Sequence, residues 1–489
     1  MATPGLIRMA TKVIEVITMN INPFKSHRLV LAVLSAALLG GCASLSEDGG
    51  FDAIQSATQS RIQKDVVWSR DEASRNQTQT RIDALLAKPL SVDDAVQIAL
   101  LNNPGLQAAY NTLGIAEADW VAAQRLPNPG LSIARKTRGT EVELERTLFF
   151  NLAALLTMPT RADIEQRLFE QTRRTLVLDV LRLAAETRKA WVVAVAAGQT
   201  AEYQNQAMQA AEAGAELARR MAQAGNWSKL KQAREQSFYA DSALAVARAG
   251  QAKRAARERL ARLMGLTRAD RVQLPDRLPD LPASIRMLPD VEQQAMDSRI
   301  DLQVVKQQAE TLAKNLGLTR STRLINVLEL GIINNGSNEE PQQRGYEIVF
   351  ELPLFDWGES RVVAAEARYR RALEQAREAA VNARSEVREA YAMQQGQYAI
   401  ARHLRDEVVP LKQRISEENV LRYNGMLISV FELLADARSQ IASVNATIEA
   451  QRDFWLADAD LAMALAGTPG KTMLATPTAS APADAGGGH

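Results

Sequence analysis

Several short stretches of the chain alternate apolar and polar residues with the two-residue period of a β-strand. In YEIVFEL, Tyr346, Ile348 and Phe350 fall on one face, whereas Glu347 and Glu351 fall on the other. The same alternation occurs in three further runs, at residues 131–134, 141–145 and 328–333. The pattern therefore predicts two β-hairpins, or four strands, in a chain whose other patterns are helical.

A long polar helical pattern follows each predicted hairpin, over residues 162–224 and 361–423. Each helix would extend for roughly 95 Å if unbroken, at about 1.5 Å per residue. Pro410 should kink the second one, because a proline inside a helix removes a hydrogen bond and clashes with the preceding turn. Helices of this length need partners along their length, so packed helical hairpins are expected.

The same order of elements occurs twice, about 200 residues apart, which is too long a period for a solenoid repeat. ALLNNPGLQ at residues 99–107 aligns with AMDSRIDLQ at 295–303, and Gly225 and Gly425 follow the two long helices. Ser91 is predicted to cap the first helix of the first half. The chain is therefore expected to be an internal duplication.

These features divide the chain into six segments. They are a signal peptide (1–41), a lipidated N-terminal segment (42–90), a first repeat (91–267), a proline-rich linker (268–290), a second repeat (291–467) and a disordered tail (468–489).

The N-terminal segment has the pattern of a bacterial secretory signal. Basic residues precede the apolar run 29–39, which is too short to span a bilayer as a helix, and Leu39-Gly40-Gly41-Cys42 follows. This sequence resembles a lipobox, so Cys42 is the predicted lipidation site, and the absence of a following Asp points to the outer membrane. The alternative is an ordinary signal peptide with an incidental cysteine. Met19 is a plausible translation start.

Composition narrows the classes of function. The chain has 58 basic and 57 acidic residues, which gives no indication of nucleic-acid binding. It has one cysteine and three histidines, so a thiolate–imidazole metal site or a Cys–His nucleophile pair is nearly excluded. We therefore expect neither an enzyme nor a protein with a cofactor.

Strands with one apolar and one polar face are typical of a membrane β-barrel with a wet lumen. Four strands are too few to close a barrel, since the smallest use about eight, and open edges are very costly in lipid. The chain must therefore oligomerise if these strands cross a membrane, and three copies would supply 12 strands. The alternative is a pair of β-ribbons on a soluble domain.

The duplicated plan, the sequence LPLFDWG at residues 352–358 and the two glycine turns resemble the TolC-like outer membrane factors, the exit ducts of bacterial efflux pumps and type I secretion. The resemblance covers residues 90–467. The first half departs from it at residues 155–160, LLTMPT, which lack the Asp-x-Gly step. The resemblance implies a mainly α homotrimer with a shared 12-strand transmembrane β-barrel and a periplasmic α-barrel. The resemblance also implies an equatorial belt built from the N-terminal segment (42–90), the proline-rich linker (268–290) and the C-terminal end. It implies an adaptor, an inner-membrane pump and outer-membrane lipid as partners.

Functional residues follow from the strands and from the resemblance. Carboxylates on the polar strand faces are expected to line the barrel lumen, where they would either favour cations or serve only for solvation; they are Glu141, Glu143, Glu145, Glu347 and Glu351. The stretch ELLADAR at residues 432–438 resembles the family's narrow periplasmic aperture, so Glu432 and Asp436 are candidate gate residues. The alternative for Asp436 is an exposed carboxylate paired with a neighbouring arginine.

The two helix–helix turns are candidate contacts for the adaptor. Gly225 and Gly425 would allow a left-handed backbone there, with Trp227 and Tyr423 beside them, although all four fit ordinary turns as well. A periplasmic adaptor and a structural coiled-coil envelope lipoprotein remain the alternative classes. The sequence does not indicate whether the cargo is a metal ion, a drug or a peptide.

Overall fold

A computed structural model of the chain describes residues 44–325 and 327–468. The predicted lipidation site, Cys42, lies outside these ranges, as do the signal peptide and most of the tail. Within the described residues, no helix has an apolar stretch long enough to cross a lipid bilayer.

Helices account for most of the described chain. The first half contains α1 (Asp52–Ile62), α2 (Glu72–Leu86), α3 (Val92–Asn102), α4 (Pro104–Ala123), α5 (Leu152–Gln223) and α6 (Lys229–Leu263). The second half contains α7 (Val291–Ser298), α8 (Ile300–Ser321), α9 (Glu359–His403), α10 (Val409–Asn424) and α11 (Val430–Ala466). The four strands are β1 (Gly130–Arg138), β2 (Glu141–Asn151), β3 (Leu328–Ser337) and β4 (Gln343–Phe350).

The chain divides into two compact units. The first contains the sheet and the chain around it, within the described residues 44–47, 117–166, 318–325 and 327–359. The second contains most of the helices, within the described residues 48–116, 167–317 and 360–468.

The four strands form one antiparallel sheet in the order β1-β2-β3-β4. Each predicted hairpin is present, and the pairing of β2 with β3 joins the two hairpins. The period-two pattern identified the strands correctly because both faces have consistent chemistry, which also sets the register.

Both hairpin turns lie at the same end of the sheet. Gly139 has φ 61° and Thr140 has no positive φ, as a two-residue type II′ turn requires between the paired residues Arg138 and Glu141. Asn338, in the other turn, accepts a hydrogen bond from the Val142 amide at 2.6 Å and donates one to the Thr140 carbonyl at 2.8 Å. These bonds hold the two turns together.

The first long helix begins directly at the end of β2. The Asn151 side chain accepts a hydrogen bond from the Ala154 amide at 2.7 Å and so caps the start of α5. This cap takes the place of the Asp-x-Gly step, which is absent from the first half. Pro159 lies inside this helix, which nevertheless runs continuously to Gln223. The uncertain strand–helix junction is therefore a direct one.

The second long helix is interrupted, as Pro410 predicted. A π-helical turn at Leu404–Val408 separates α9 from α10, and Pro410 occupies the first turn of α10. Because proline has no amide hydrogen, the local ladder widens in the turn that precedes it.

The proline-rich linker is bound to the helices of the second unit. Tyr398 donates its hydroxyl to the carbonyls of Pro282 and Ala283 at 3.0 and 2.8 Å. Trp455 donates its indole N–H to the Pro279 carbonyl at 3.1 Å. These bonds satisfy linker carbonyls that would otherwise be left unpaired.

The junction between α3 and α4, like its counterpart between α7 and α8, caps the end of the returning helix of its half. In the first half, Asn102 donates to the Met264 carbonyl at 3.0 Å and Asn103 donates to the Leu263 carbonyl at 2.9 Å. Gly265 has φ 68°, and an added Cβ there would lie 2.5 Å from the Asn102 carbonyl oxygen. The junction therefore requires a glycine.

The second half builds this junction with a buried arginine. Arg299 is 1% exposed and donates to the Ala464 carbonyl at 3.2 Å, to Asp301 at 2.6 Å and to Glu386 at 2.8 Å. Burial raises the pKa of Asp301, but hydrogen bonds from Arg299 and Thr468 lower it by more, so the net pKa lies below its usual value.

Candidate functional site

Four of the five glutamates predicted to line a lumen lie on one face of the sheet. Gly331 pairs with both Phe149 on β2 and Glu347 on β4, so all three residues share a face. This polar face also carries the odd-numbered glutamates of β2, namely Glu141, Glu143 and Glu145. The Glu347 side chain occupies the space above Gly331, where an added Cβ would lie 2.7 Å from the Glu347 Cγ.

The fifth glutamate, Glu351, lies one residue beyond the end of β4. Its amide donates to the Val327 carbonyl at 3.4 Å, which continues the pairing with β3 by one step. Two basic residues, Lys136 and Arg138, share the polar face, and Lys136 pairs with Glu145 at 2.5 Å. Acidic groups therefore outnumber basic groups on this face.

The opposite face of the sheet is apolar and largely exposed. This apolar face carries Leu131, Ile133, Leu148, Phe150, Leu330, Ile332, Tyr346, Ile348 and Phe350. Tyr346 is 78% exposed and Ile348 is 62% exposed. Isolated apolar residues at a surface are ordinary, but a contiguous apolar face of this size indicates contact with lipid or protein.

Both edges of the sheet lack a partner strand within the described chain. β1 pairs only with β2, and β4 pairs only with β3. Edge strands expose rows of unpaired N–H and C=O groups, which water can satisfy but lipid cannot.

Large apolar side chains also follow β4. Leu352, Leu354 and Trp357 are more than half exposed, and Phe355 is 100% exposed. The turn that carries them is closed by Asp356, whose carboxylate accepts a hydrogen bond from the Gly358 amide at 2.8 Å. The signature sequence LPLFDWG therefore presents its apolar side chains outward.

The two helix–helix turns differ in their left-handed residue. In the first turn, Gly225 has φ 79°, and the Asn226 amide donates to the Met221 carbonyl at 2.9 Å, as in a Schellman motif. Trp227 is half-buried directly after it.

In the second turn, Gly425 has φ −81°, so the expected left-handed geometry at this glycine is wrong. The left-handed residue is Met426, at φ 59°, and the Leu427 amide donates to the Arg422 carbonyl at 2.8 Å. The hydrogen bonds of this Schellman motif begin one residue later than in the first turn. The left-handed backbone conformation therefore falls on Met426 and not on the glycine. Met426 is 93% exposed, and Tyr423 lies in the last turn of α10.

The two candidate gate residues have different surroundings. Glu432 closes a capping box at the start of α11, where its carboxylate accepts the Ser429 amide at 3.0 Å and the Ser429 hydroxyl accepts the Glu432 amide at 3.3 Å. Asp436 has one buried carboxylate oxygen, Oδ2, with no hydrogen-bond partner in the described part of the chain.

Arg438 pairs with Glu235 rather than with Asp436. Its guanidinium group donates to the Glu235 carboxylate at 2.5 Å and lies 4.4 Å from the centre of the Phe238 ring. Glu235 is 2% exposed, which the sequence analysis did not anticipate. Glu235 and Ser242, which is also buried, lie seven residues apart and so on one face of α6, but two polar residues at this spacing give no sign of burial in the sequence.

An open sheet with one acidic and one apolar face, together with duplicated long helices, is the fold of outer membrane channels. Solved structures with this fold include the outer-membrane channel OprN, at 17% identity and TM-score 0.65, covering 84% of this chain and 95% of that chain. The open state of the Neisseria gonorrhoeae MtrE outer membrane channel matches at 17% identity and TM-score 0.63, covering 79% and 89%. A membrane protein from Pseudomonas aeruginosa matches at 18% identity and TM-score 0.66, covering 76% and 92%.

No family model matches the chain. No curated protein matches it either. The predicted fold, mainly α with a small β part, is confirmed, and the resemblance drawn from the sequence is confirmed at the level of the fold, which is that of solved outer membrane channels.

Proposed function

We propose that the protein is the outer membrane exit duct of a tripartite efflux or type I secretion system. Three copies would share one 12-strand barrel and conduct substrates delivered by an inner-membrane pump through a periplasmic adaptor. A lipid on Cys42 would anchor each copy to the membrane. The duct would carry out no bond chemistry and would need no cofactor.

The observation that supports this function best is the open sheet with chemically opposite faces. Its apolar face suits lipid, its acidic face suits a wet lumen, and its two unpaired edges require further strands before it can enter a membrane. A soluble β-ribbon would need a covered apolar face, and a periplasmic adaptor would need only one helical hairpin.

The fold also supports two roles for the turn end of the helical pairs. The turns at Gly225 and Gly425 would contact the adaptor, together with Trp227 and Tyr423. Asp436, with its unpartnered buried oxygen, would belong to the resting constriction. In the second repeat, the π-helical turn at Leu404–Val408 supports movement of α10.

Ion conductance in planar bilayers tests this function. The purified protein should insert as a channel that prefers cations, because three copies would bring the glutamates of the polar face into one lumen. Replacing Glu143, Glu145 and Glu347 with glutamine should lower that preference, measured as a smaller reversal potential in a salt gradient. Glu72→Gln, an exposed change on α2 outside the sheet, is the matched control.

Two outcomes would contradict the proposal. Protein that inserts without conducting, even when Asp436→Ala removes the carboxylate proposed for the constriction, would favour a structural envelope lipoprotein, and protein that remains soluble would favour an adaptor. Equal reversal potentials in the parent and the triple glutamine variant would refute the placement of the polar face in the lumen.

A further inference from the structure

Three arginines interrupt the apolar face of the sheet near its two hairpin turns. On β1 and β2, Ile133 pairs with Arg146, and on β3 and β4, Asn334 pairs with Arg344. The register of β2 with β3 puts these two pairs in one row across the sheet. Arg135 lies two residues nearer the turns than Ile133 and on the same face.

Charge is segregated between the two faces. Every glutamate in the four strands lies on the polar face, namely Glu141, Glu143, Glu145, Glu329 and Glu347. The charged residues of the apolar face are the three arginines alone. A solvated surface has no reason to sort charges in this way, whereas a surface in contact with an anionic layer does.

The three arginines have no carboxylate partner among the residues that the structure describes. All three are exposed, and the hydrogen bond found for them joins Arg344 to the Gln342 side chain at 3.4 Å. By contrast, Lys136 on the polar face of the same sheet pairs closely with Glu145. The guanidinium groups on the apolar face are therefore available to an external anion.

The rows between the arginines and the helix-connected ends of the strands are apolar. The next row consists of Leu131, Leu148, Ile332 and Tyr346, and the one after it contains Phe150, Leu330 and Ile348. On the lipid face of a barrel, arginine is costly at the bilayer midplane and costs almost nothing near the interface. The arginine row therefore marks the level of the lipid head groups at the turn end of the sheet.

We propose that Arg135, Arg146 and Arg344 bind the phosphate groups of lipid molecules at the membrane surface nearest the hairpin turns. This inference rests on the proposed function, because it requires the apolar face to lie in a bilayer. Guanidinium groups bind phosphate oxygens in bidentate geometry. Arg135 and Arg146 are diagonal neighbours about 7–8 Å apart, so both reach one phosphorylated head group. Arg344 lies two strands from Arg146, at about 10 Å.

Native mass spectrometry of the detergent-solubilised assembly tests this binding, with diphosphoryl lipid A as the probe. The triple variant Arg135→Gln/Arg146→Gln/Arg344→Gln should bind the probe roughly a hundredfold more weakly than the parent, at about fivefold per arginine. The matched control, Lys136→Gln/Arg138→Gln, removes two cations from the polar face of β1, the strand that carries Arg135, and should bind within about twofold of the parent.

The outcomes separate this inference from the proposed function. Equal probe affinity in the parent and the triple variant, with the oligomer and its conductance intact, overturns the lipid site alone. Displacement of the probe by an equal concentration of inorganic phosphate would show a general anion site and would also overturn it. A parent protein that neither forms an oligomer nor conducts ions would refute the proposed function instead.

Discussion

Replacing Arg299 with alanine should destabilise the end of α11 more than any surface change nearby. The side chain is 1% exposed and holds the carboxylates of Asp301 and Glu386, which are 16% and 27% exposed, and the Ala464 carbonyl. Removing one partner of a buried ion pair leaves the other charge uncompensated, at a cost of about 3–5 kcal/mol. Glu386 regains some water, so we expect the lower half of that range.

Hydrogen exchange of the last turn of α11 measures this loss. The Gly467 amide, which donates to the Met463 carbonyl at 2.8 Å, should exchange at least about a hundredfold faster in the variant. Arg388→Ala is the matched control, because Arg388 pairs with Glu292 at 3.5 Å with both side chains well exposed, at 62% and 44%. Such a pair contributes about 0–1 kcal/mol. If the Gly467 amide in Arg299→Ala exchanged within about fivefold of its rate in this control, Arg299 would not stabilise the end of α11.

Three further predictions concern acid stability, the sheet and the start of α11. The pKa of Asp301 is lower in the folded than in the unfolded protein, so its stabilising contribution is present above its unfolded pKa of about 4 and is lost as the pH falls through the folded pKa. Protection of the end of α11 from hydrogen exchange should therefore fall below about pH 4, and protection that stays constant as the pH is lowered would contradict this. Gly331→Val should cost the sheet about 1–3 kcal/mol, because its Cβ would meet Glu347. The oligomer of Gly331→Val should therefore dissociate at a lower temperature than the parent on gels. Gly336→Val, whose added side chain would meet open space, should change this temperature little. Ser429→Ala removes a cap worth about 1 kcal/mol, so exchange in the first turn of α11 should rise about fivefold; an unchanged rate would rule out this cap.

The strands and long helices were predictable because they depend on local periodicity. The alternation around Glu347 fixed both the strand and the face of its carboxylate, and Pro410 predicted the interruption of the second long helix. The direct continuation of β2 into α5 was harder to predict, because the Asn151 cap has no signature in the sequence beyond a polar residue at the junction.

Residues that act through distant contacts were not predictable. In the sequence, Arg299 and Glu235 have the pattern of solvent-exposed charged residues. In the structure both are buried against partners more than 80 positions away in sequence, Glu386 and Arg438. The left-handed residue of the second turn was misplaced by one position, because the choice between Gly425 and Met426 depends on which carbonyls the turn reaches. The arginine row on the apolar face was accessible in principle, since it follows from the strand register.

The proposed function requires the edges of the sheet to pair with other copies of the chain. Antiparallel pairing of β1 with β4 of a neighbouring copy, with full overlap and matched faces, puts Ser132 opposite Val349. Within one copy these edges are separated by three strand spacings, about 14 Å, which is too far for a disulfide. We therefore predict that Ser132→Cys/Val349→Cys, oxidised in its native membrane, forms covalent species of two and three chains. Single chains alone, in a variant that still reaches the membrane, would contradict the account.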